Sequence, residues 1–102
     1  LSGGAEMKAI KKEPGEQPRM VSIQNTLEGL QKAVGGRIET VRLFEDACVV
    51  CDEEWRLQGK PYNCNILGVP FGGTILLVGV SGEEFCDIPG GEFTLDLMKG
   101  VC

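Results

Sequence analysis

The residues of this chain whose side chains are the most reactive in type are five cysteines, Cys48, Cys51, Cys64, Cys86 and Cys102. The first two have Cys-x-x-Cys spacing, but a redox motif of this kind needs a helix N-terminus to lower the thiol pKa. Here the pair lies in an apolar run, 47–51, that predicts a β-strand, and residues three apart on a strand point to opposite faces. A zinc site would have to recruit the other cysteines at irregular spacing without any histidine. We therefore predict free thiols, no metal and no cofactor.

Two further features are candidates for catalysis. Asp52, Glu53 and Glu54 form an acidic run after the apolar strand, where adjacent acids are usually solvated. Cys64, between two asparagines, is a candidate nucleophile, but no base lies near it in sequence. Histidine, the commonest general base, is absent. The chain is predicted not to be an enzyme, with Cys64 or the acids of 52–54 as the alternative catalytic groups.

The segment 55–71 has the composition of a binding loop. Aromatic side chains beside asparagine and glycine on an irregular segment are typical of binding surfaces. The predicted site comprises the loop residues Trp55, Tyr62, Asn63 and Phe71 and the acidic shoulder Asp52, Glu53 and Glu54. The alternative is that the aromatic side chains fold back and cover the open face of a sheet.

The first half of the chain predicts a hairpin followed by a helix. Strands at 8–12 and 20–23 are joined by a turn at Pro14-Gly15. The helix begins at an Asn25 cap and ends at Gly35-Gly36, the first glycine in the left-handed conformation. Its inner face is predicted to contain Leu27, Leu30 and Val34.

The second half predicts further strands at 38–44, 47–51, 74–80 and 84–88, with an irregular segment from 52 to about 73. A short final helix is capped by Thr94 and has Leu95, Leu97 and Met98 on its inner side. Hairpin-length connections favour an antiparallel sheet over a parallel one. We predict an α+β domain, a mainly antiparallel sheet with one or two short helices packed on one face, in which 37–51 and 74–88 supply the central strands.

Composition limits the class of partner. The 102 residues carry a net charge of −5, and residues 43–102 hold ten acids against three bases. This balance disfavours direct nucleic-acid binding, and no apolar run is long enough for a membrane span. The acidic half either meets a basic partner surface or is simply a solvated face. Residues 1–6 are interpreted as a cloning scar and residues 7–102 as one domain.

Several short motifs together resemble a known family, catalogued as domain of unknown function 3846, over residues 7–80. The matching motifs are Met7-Lys-Ala-Ile10, Glu13-Pro-Gly15, Asn25-Thr-Leu-Glu28, Val34-Gly-Gly36, Asp52-Glu53-Glu54, Leu57-x-Gly59-x-Pro61-x-Asn63 and Val78-Gly79. Trp55 departs from the pattern, which has a glycine there. So does Cys64, where a basic residue often follows the asparagine.

The resemblance implies a cytoplasmic accessory protein of bacteria, phages or mobile elements, and it implies no activity. By analogy with small acidic phage proteins, we expect stoichiometric binding to a host protein with a basic surface, as in a counter-defence inhibitor. A second hypothesis is that loop 55–71 captures a small nucleotide-like ligand.

Overall fold

The computed structural model describes residues 5–101, and within them the chain forms eight strands and two α-helices. In chain order these are β1 (Glu6–Lys12), β2 (Arg19–Gln24), α1 (Leu27–Val34), β3 (Ile38–Phe44), β4 (Ala47–Asp52), β5 (Tyr62–Ile66), β6 (Val69–Gly72), β7 (Ile75–Ser81), β8 (Glu84–Cys86) and α2 (Glu92–Val101). Strand β1 begins one residue inside the predicted scar, since Glu6 pairs with Gln24. Cys102, included in the cysteine prediction, lies outside the described residues.

The main sheet has the strand order β2-β1-β7-β4-β3, and β8 pairs with the end of β7. Every pairing in this sheet is antiparallel. Strands β5 and β6 form a separate antiparallel hairpin. The predicted α+β class with an antiparallel sheet is therefore confirmed. Of the segments predicted to be central, β4 and β7 are interior, whereas β3 lies at an edge and the short β8 pairs only with the end of β7.

Strand β4 lies inside the sheet because its first five side chains, 47–51, are apolar on both faces. All six of its residues are buried. Cys48 and Val50 belong to the core on one face, and Val49 and Cys51 to the core on the other. The prediction that Cys48 and Cys51 point to opposite faces is confirmed. A strand of this kind needs cover on both sides of the sheet.

Helix α1 covers one face, where Leu30 and Val34 pack against the sheet. Its N-cap is Thr26, whose hydroxyl accepts a hydrogen bond from the Gly29 amide at 3.0 Å, so the predicted Asn25 cap is wrong by one residue. Leu27 is exposed, contrary to the predicted inner face. The left-handed glycine at position 35 is confirmed, with φ of 78°.

The other face is covered by the β5–β6 hairpin and by α2, through Phe71, Leu95 and Met98. The two helices therefore lie on different faces of the sheet. Helix α2 begins at Glu92, so Thr94 is inside it rather than at its cap, and the Thr94 hydroxyl donates to the Pro89 carbonyl. Leu97, predicted to face inward, is exposed.

The segment predicted to be irregular contains regular structure. Its second part is the β5–β6 hairpin, in which Ile66 pairs with Val69 across the two-residue turn Leu67-Gly68. Both turn residues have positive φ, 51° for Leu67 and 82° for Gly68. A composition rich in glycine and proline suggested a loop, but the glycine at 68 serves a tight turn.

Candidate functional site

The predicted site occupies segment 52–72, which runs from the end of β4 through a series of turns into the β5–β6 hairpin. The structure divides its residues into those that the fold uses and those that remain exposed. The acidic shoulder illustrates the division. Asp52 is completely buried, Glu54 is half-buried and Glu53 is exposed. The prediction of a solvated acidic run is wrong for Asp52, which belongs to β4 and pairs with Ile38.

Asp52 forms an ion pair with Lys60, a residue absent from the predicted site. Its Oδ2 lies 2.5 Å from Lys60 Nζ, although the angles do not make an ordinary hydrogen bond at Oδ2. Its Oδ1 accepts a hydrogen bond from the Glu54 amide at 2.9 Å. Burial raises the pKa of Asp52, but the contacts with Lys60 and the Glu54 amide outweigh burial and hold that pKa below its ordinary value. The carboxylate is therefore charged and compensated inside the fold.

Lys60 also stabilises the end of helix α1. Its ammonium donates to the carbonyl oxygens of Gly35 at 3.0 Å and Val34 at 3.3 Å. A cation at the helix C-terminus satisfies carbonyls that have no partner within the helix and interacts favourably with the helix dipole. One side chain thus joins α1, β4 and the approach to the hairpin.

A glycine makes room for this ion pair. A Cβ on Gly36 would lie 2.6 Å from Asp52 Oδ2, closer than non-bonded atoms approach. Two separate structural requirements therefore explain the two consecutive glycines after α1. Gly35 takes the left-handed conformation, and Gly36 leaves space for the buried carboxylate.

Trp55 is half-buried and packs within the fold. Its ring lies against Gly72 so closely that any Cβ on this glycine would overlap it. The Arg56 guanidinium lies over the same ring, 4.6 Å from the centroid. A small crevice of about 160 Å³ adjoins this cluster and is also lined by Glu39, Cys51 and Pro70. The indole thus already has two contacts that a stacking ligand would have to displace.

The other two aromatic residues of the predicted site, Phe71 and Tyr62, differ in exposure. Phe71 is 1% exposed and belongs to the core under the hairpin. This confirms the alternative interpretation for Phe71, namely that it covers a face of the sheet. Tyr62 is 56% exposed, and its hydroxyl donates to Asn65 Oδ1 at 2.6 Å. Tyr62 remains available to a partner.

Asn63 ties the hairpin to the main sheet. Its Nδ2 donates to the carbonyl oxygens of Lys12 and Gly73, both at 2.8 Å. Its Oδ1 accepts from Lys12 Nζ at 3.0 Å, and that ammonium also donates to the Glu13 carbonyl. Lys12 is buried, and these bonds compensate its charge. The amide of Asn63 has little capacity left for recognition.

The accessible part of segment 52–72 differs from the predicted one. It contains Glu53, Leu57 and Tyr62, with Trp55 at its margin. Leu57 was missed by sequence reasoning although it is 85% exposed. The sequence offers little indication of this, because a single leucine in a polar turn is not part of a periodic apolar pattern from which burial or exposure could be predicted.

Three of the cysteines, Cys48, Cys51 and Cys64, lie in settings that disfavour thiolate chemistry. Burial raises the pKa of Cys51 to about 11, and Glu39 and Asp52 add to the effect. Burial also raises the pKa of Cys48, against an opposing effect of Arg42. Cys64, the proposed nucleophile, is buried in the core beside Phe71. A thiol reacts through its thiolate, so a raised pKa and burial lower its reactivity.

Within residues 5–101 no three Cys, Asp or Glu side chains are grouped so that they could hold a metal ion. No helix of that range has the length and apolar character needed to cross a membrane.

The fold and the site together define a small α+β domain with an antiparallel sheet, whose predicted site is largely internal. Comparison with family models identifies it further. The chain belongs to the family described as Domain of unknown function (DUF3846), whose model matches residues 7–99. Comparisons with curated proteins and with solved structures give no match.

Proposed function

We propose that this chain is a non-enzymatic binding protein that acts by stoichiometric contact with a partner protein carrying a basic surface. The observation that supports this is the set of exposed carboxylates in residues 43–102 without a basic partner. Within the described residues none of the following forms an ion pair: Glu45, Asp46, Glu53, Glu83, Glu84 and Glu92. Unpaired surface charges of one sign steer a partner of the opposite sign.

The exposed part of segment 52–72 is the first contact surface in this proposal. Tyr62 supplies an aromatic anchor and Leu57 an apolar side chain, and Glu53 is the nearby charge. Interfaces commonly combine such anchors with a charged rim. Asp52, Asn63 and Phe71 contribute indirectly, since they hold the backbone that presents these side chains.

The setting of the proposal is the one that the family resemblance implies. We place the protein in the cytoplasm, as an accessory protein of a phage or mobile element that inhibits a host defence component. Neither alternative function is favoured by an observation. The crevice beside Trp55 is smaller than the roughly 300 Å³ at which ligand pockets begin. The burial of Cys64 and the ion pair of the buried Asp52 with Lys60 likewise support a non-enzymatic role.

The test is a capture experiment followed by measurement with purified components. The immobilised chain is exposed to lysate of the cells in which it occurs, at low and high salt. We expect a basic protein to be captured at low salt and released at high salt, because salt screens surface charges. The affinity of the purified pair is then measured for two triple variants.

The two variants remove equal charge from different surfaces. The first replaces Glu53, Glu83 and Glu84 by Gln, and the control replaces Glu6 and Glu16 by Gln and Asp96 by Asn, which are also exposed. We expect the first to weaken binding about tenfold and the control to weaken it less than about threefold. Equal effects of both variants, or a partner whose affinity is independent of salt, would contradict the proposal.

A further inference from the structure

A groove outside the predicted site lies between the start of α1 and the β7–β8 hairpin. Its volume is about 360 Å³, which falls in the range of about 300–1,000 Å³ found for ligand pockets. Its apolar lining comprises Leu27, Leu30, Ile38 and Phe85. Leu27 is 60% exposed although it begins a helix that packs on the sheet. Covering it would remove apolar surface from water, so the groove gains from an apolar occupant.

Hydrogen bonds fix the walls of the groove. The Asn25 amide group donates to the Phe85 carbonyl at 2.8 Å, which ties the start of α1 to β8. The Asn25 backbone N–H donates to the Ala5 carbonyl at 2.8 Å. The side chain once predicted to cap α1 therefore joins the two elements that form the groove. A preformed groove binds without the entropic cost of ordering its walls.

The rim of the groove is acidic. Glu83 and Glu84, at the tip of the β7–β8 hairpin, are exposed and line it, and no lysine or arginine does. Neither forms an ion pair among the described residues. The start of α1 carries a partial positive charge, but Thr26 occupies one of its N–H groups and Glu28 lies in the same turn. The charges present therefore complement a cation beside an apolar side chain.

We infer that this groove, here named the α1–β8 groove, is a docking site for a short peptide segment in which apolar residues alternate with lysine or arginine. The apolar side chains occupy the space beside Leu27 and Phe85, and the cations pair with Glu83 and Glu84. This inference rests on the proposed function and adds to it a second contact surface and the sequence character of the partner. A basic partner that docks through such a segment would reach both the groove and the acidic rim at once.

The test uses three fluorescent peptides of equal length with the purified chain. One alternates lysine and leucine, the second replaces lysine by glutamate, and the third replaces leucine by serine. We expect the lysine–leucine peptide to bind most tightly by fluorescence anisotropy. In ¹H–¹⁵N spectra it should shift the amides of Leu27, Leu30 and Phe85, with little change at Trp55 or Tyr62.

Two matched pairs of variants separate groove binding from general attraction. Leu27→Ala should weaken binding of the lysine–leucine peptide about tenfold, whereas Leu97→Ala, which removes an exposed leucine of α2, should leave the affinity within about twofold. Glu83→Gln with Glu84→Gln should weaken binding of this peptide about threefold to tenfold, and Glu16→Gln with Asp96→Asn, at exposed acids away from the groove, less than about twofold.

The inference is overturned if the glutamate or serine peptide binds as well as the first peptide, or if the shifts lie outside the groove. Self-association of the chain through these residues, seen by light scattering without peptide, would also overturn it, because the groove would then hold a second copy. The proposed function does not fail with this inference. A captured basic partner whose affinity is unchanged by Leu27→Ala would exclude the groove as a contact surface and leave the acidic surface as the proposed site of binding.

Discussion

Segment 52–72 and the α1–β8 groove differ in how their notable residues are employed. In the segment the residues of unusual type are engaged within the fold, as the Asp52–Lys60 ion pair and the Asn63 amide show. In the groove the residues are ordinary ones, yet Leu27 is exposed and Glu83 and Glu84 have no ion-pair partner in the described chain. Residue type therefore indicates which side chains are costly to bury. The surrounding elements decide whether such a side chain makes contacts within the fold or stays exposed to a partner.

The largest expected effect tests whether the segment is structural. Phe71→Ala should lower the free energy of unfolding by about 3–5 kcal/mol, because it leaves a cavity under the hairpin. Tyr62→Ala, at an exposed aromatic of the same hairpin, should change it by less than about 1 kcal/mol. Urea denaturation measures both. Comparable losses would mean that Tyr62 is also part of the core and that the segment offers no aromatic anchor.

The Asp52–Lys60 pair supplies the second effect. Lys60→Met should lower the free energy of unfolding by about 3 kcal/mol. It leaves the buried Asp52 carboxylate without its counter-ion and removes the hydrogen bond to the Gly35 carbonyl at the end of α1. Asp52→Asn should cost about 1–2 kcal/mol, since Lys60 is 23% exposed and its ammonium can turn toward water. The double variant should be more stable than Lys60→Met alone. A cost below about 1 kcal/mol for Lys60→Met would show that the pair contributes little.

The dependence on pH gives this experiment a second readout. Because the folded-state pKa of Asp52 is lowered, its stabilising contribution is complete above the ordinary pKa of 3.8 and is lost as the pH falls through the lower folded value. The stability difference between the wild type and Asp52→Asn should therefore shrink below pH 3.8. In Lys60→Met, burial disfavours the charged Asp52 carboxylate and the Lys60 ammonium no longer offsets it. Protonation of Asp52 as the pH falls should therefore reduce the loss of stability of this variant relative to the wild type. A deficit that grows on acidification would contradict this assignment.

Local patterns explain what could be predicted from the sequence. Strands β4 and β7 follow from runs that are apolar on both faces, and the end of α1 follows from Gly35. The placement of Thr26 rather than Asn25 at the cap depends on Asn25 reaching Phe85, which is sixty residues away in sequence. Helix α2 begins earlier than Thr94, whose hydroxyl donates to the carbonyl of Pro89 five residues before it.

The site was harder to predict because its contacts join distant elements. Nothing near Lys60 in sequence indicates Asp52 or the carbonyls of α1 as its partners. Likewise, the pairing of Asn63 with Lys12 requires the hairpin to lie on the sheet. The helical period wrongly predicts a buried Leu27 and makes no prediction for Leu57, since exposure depends on which neighbouring elements cover a side chain. The sequence could therefore indicate the segment but could not assign its residues to folding or recognition.

The smallest expected effect concerns the tip of the hairpin in segment 52–72. Leu67 is the one non-glycine residue with positive φ in the described chain, and it is exposed. A leucine in this conformation is strained, whereas Asn followed by Gly is the preferred pair for such a turn. Leu67→Asn should therefore raise the free energy of unfolding by about 0.5–1 kcal/mol, seen as an increase of a few degrees in Tm.

Leu57→Asn removes another exposed leucine without relieving a positive φ and should change stability by less than about 0.5 kcal/mol. If both variants are equally stabilising, the gain comes from removing surface leucine rather than from the turn. If Leu67→Asn is destabilising, Leu67 makes a contact that offsets its strain, and the hairpin tip belongs with the parts of the segment that the fold uses.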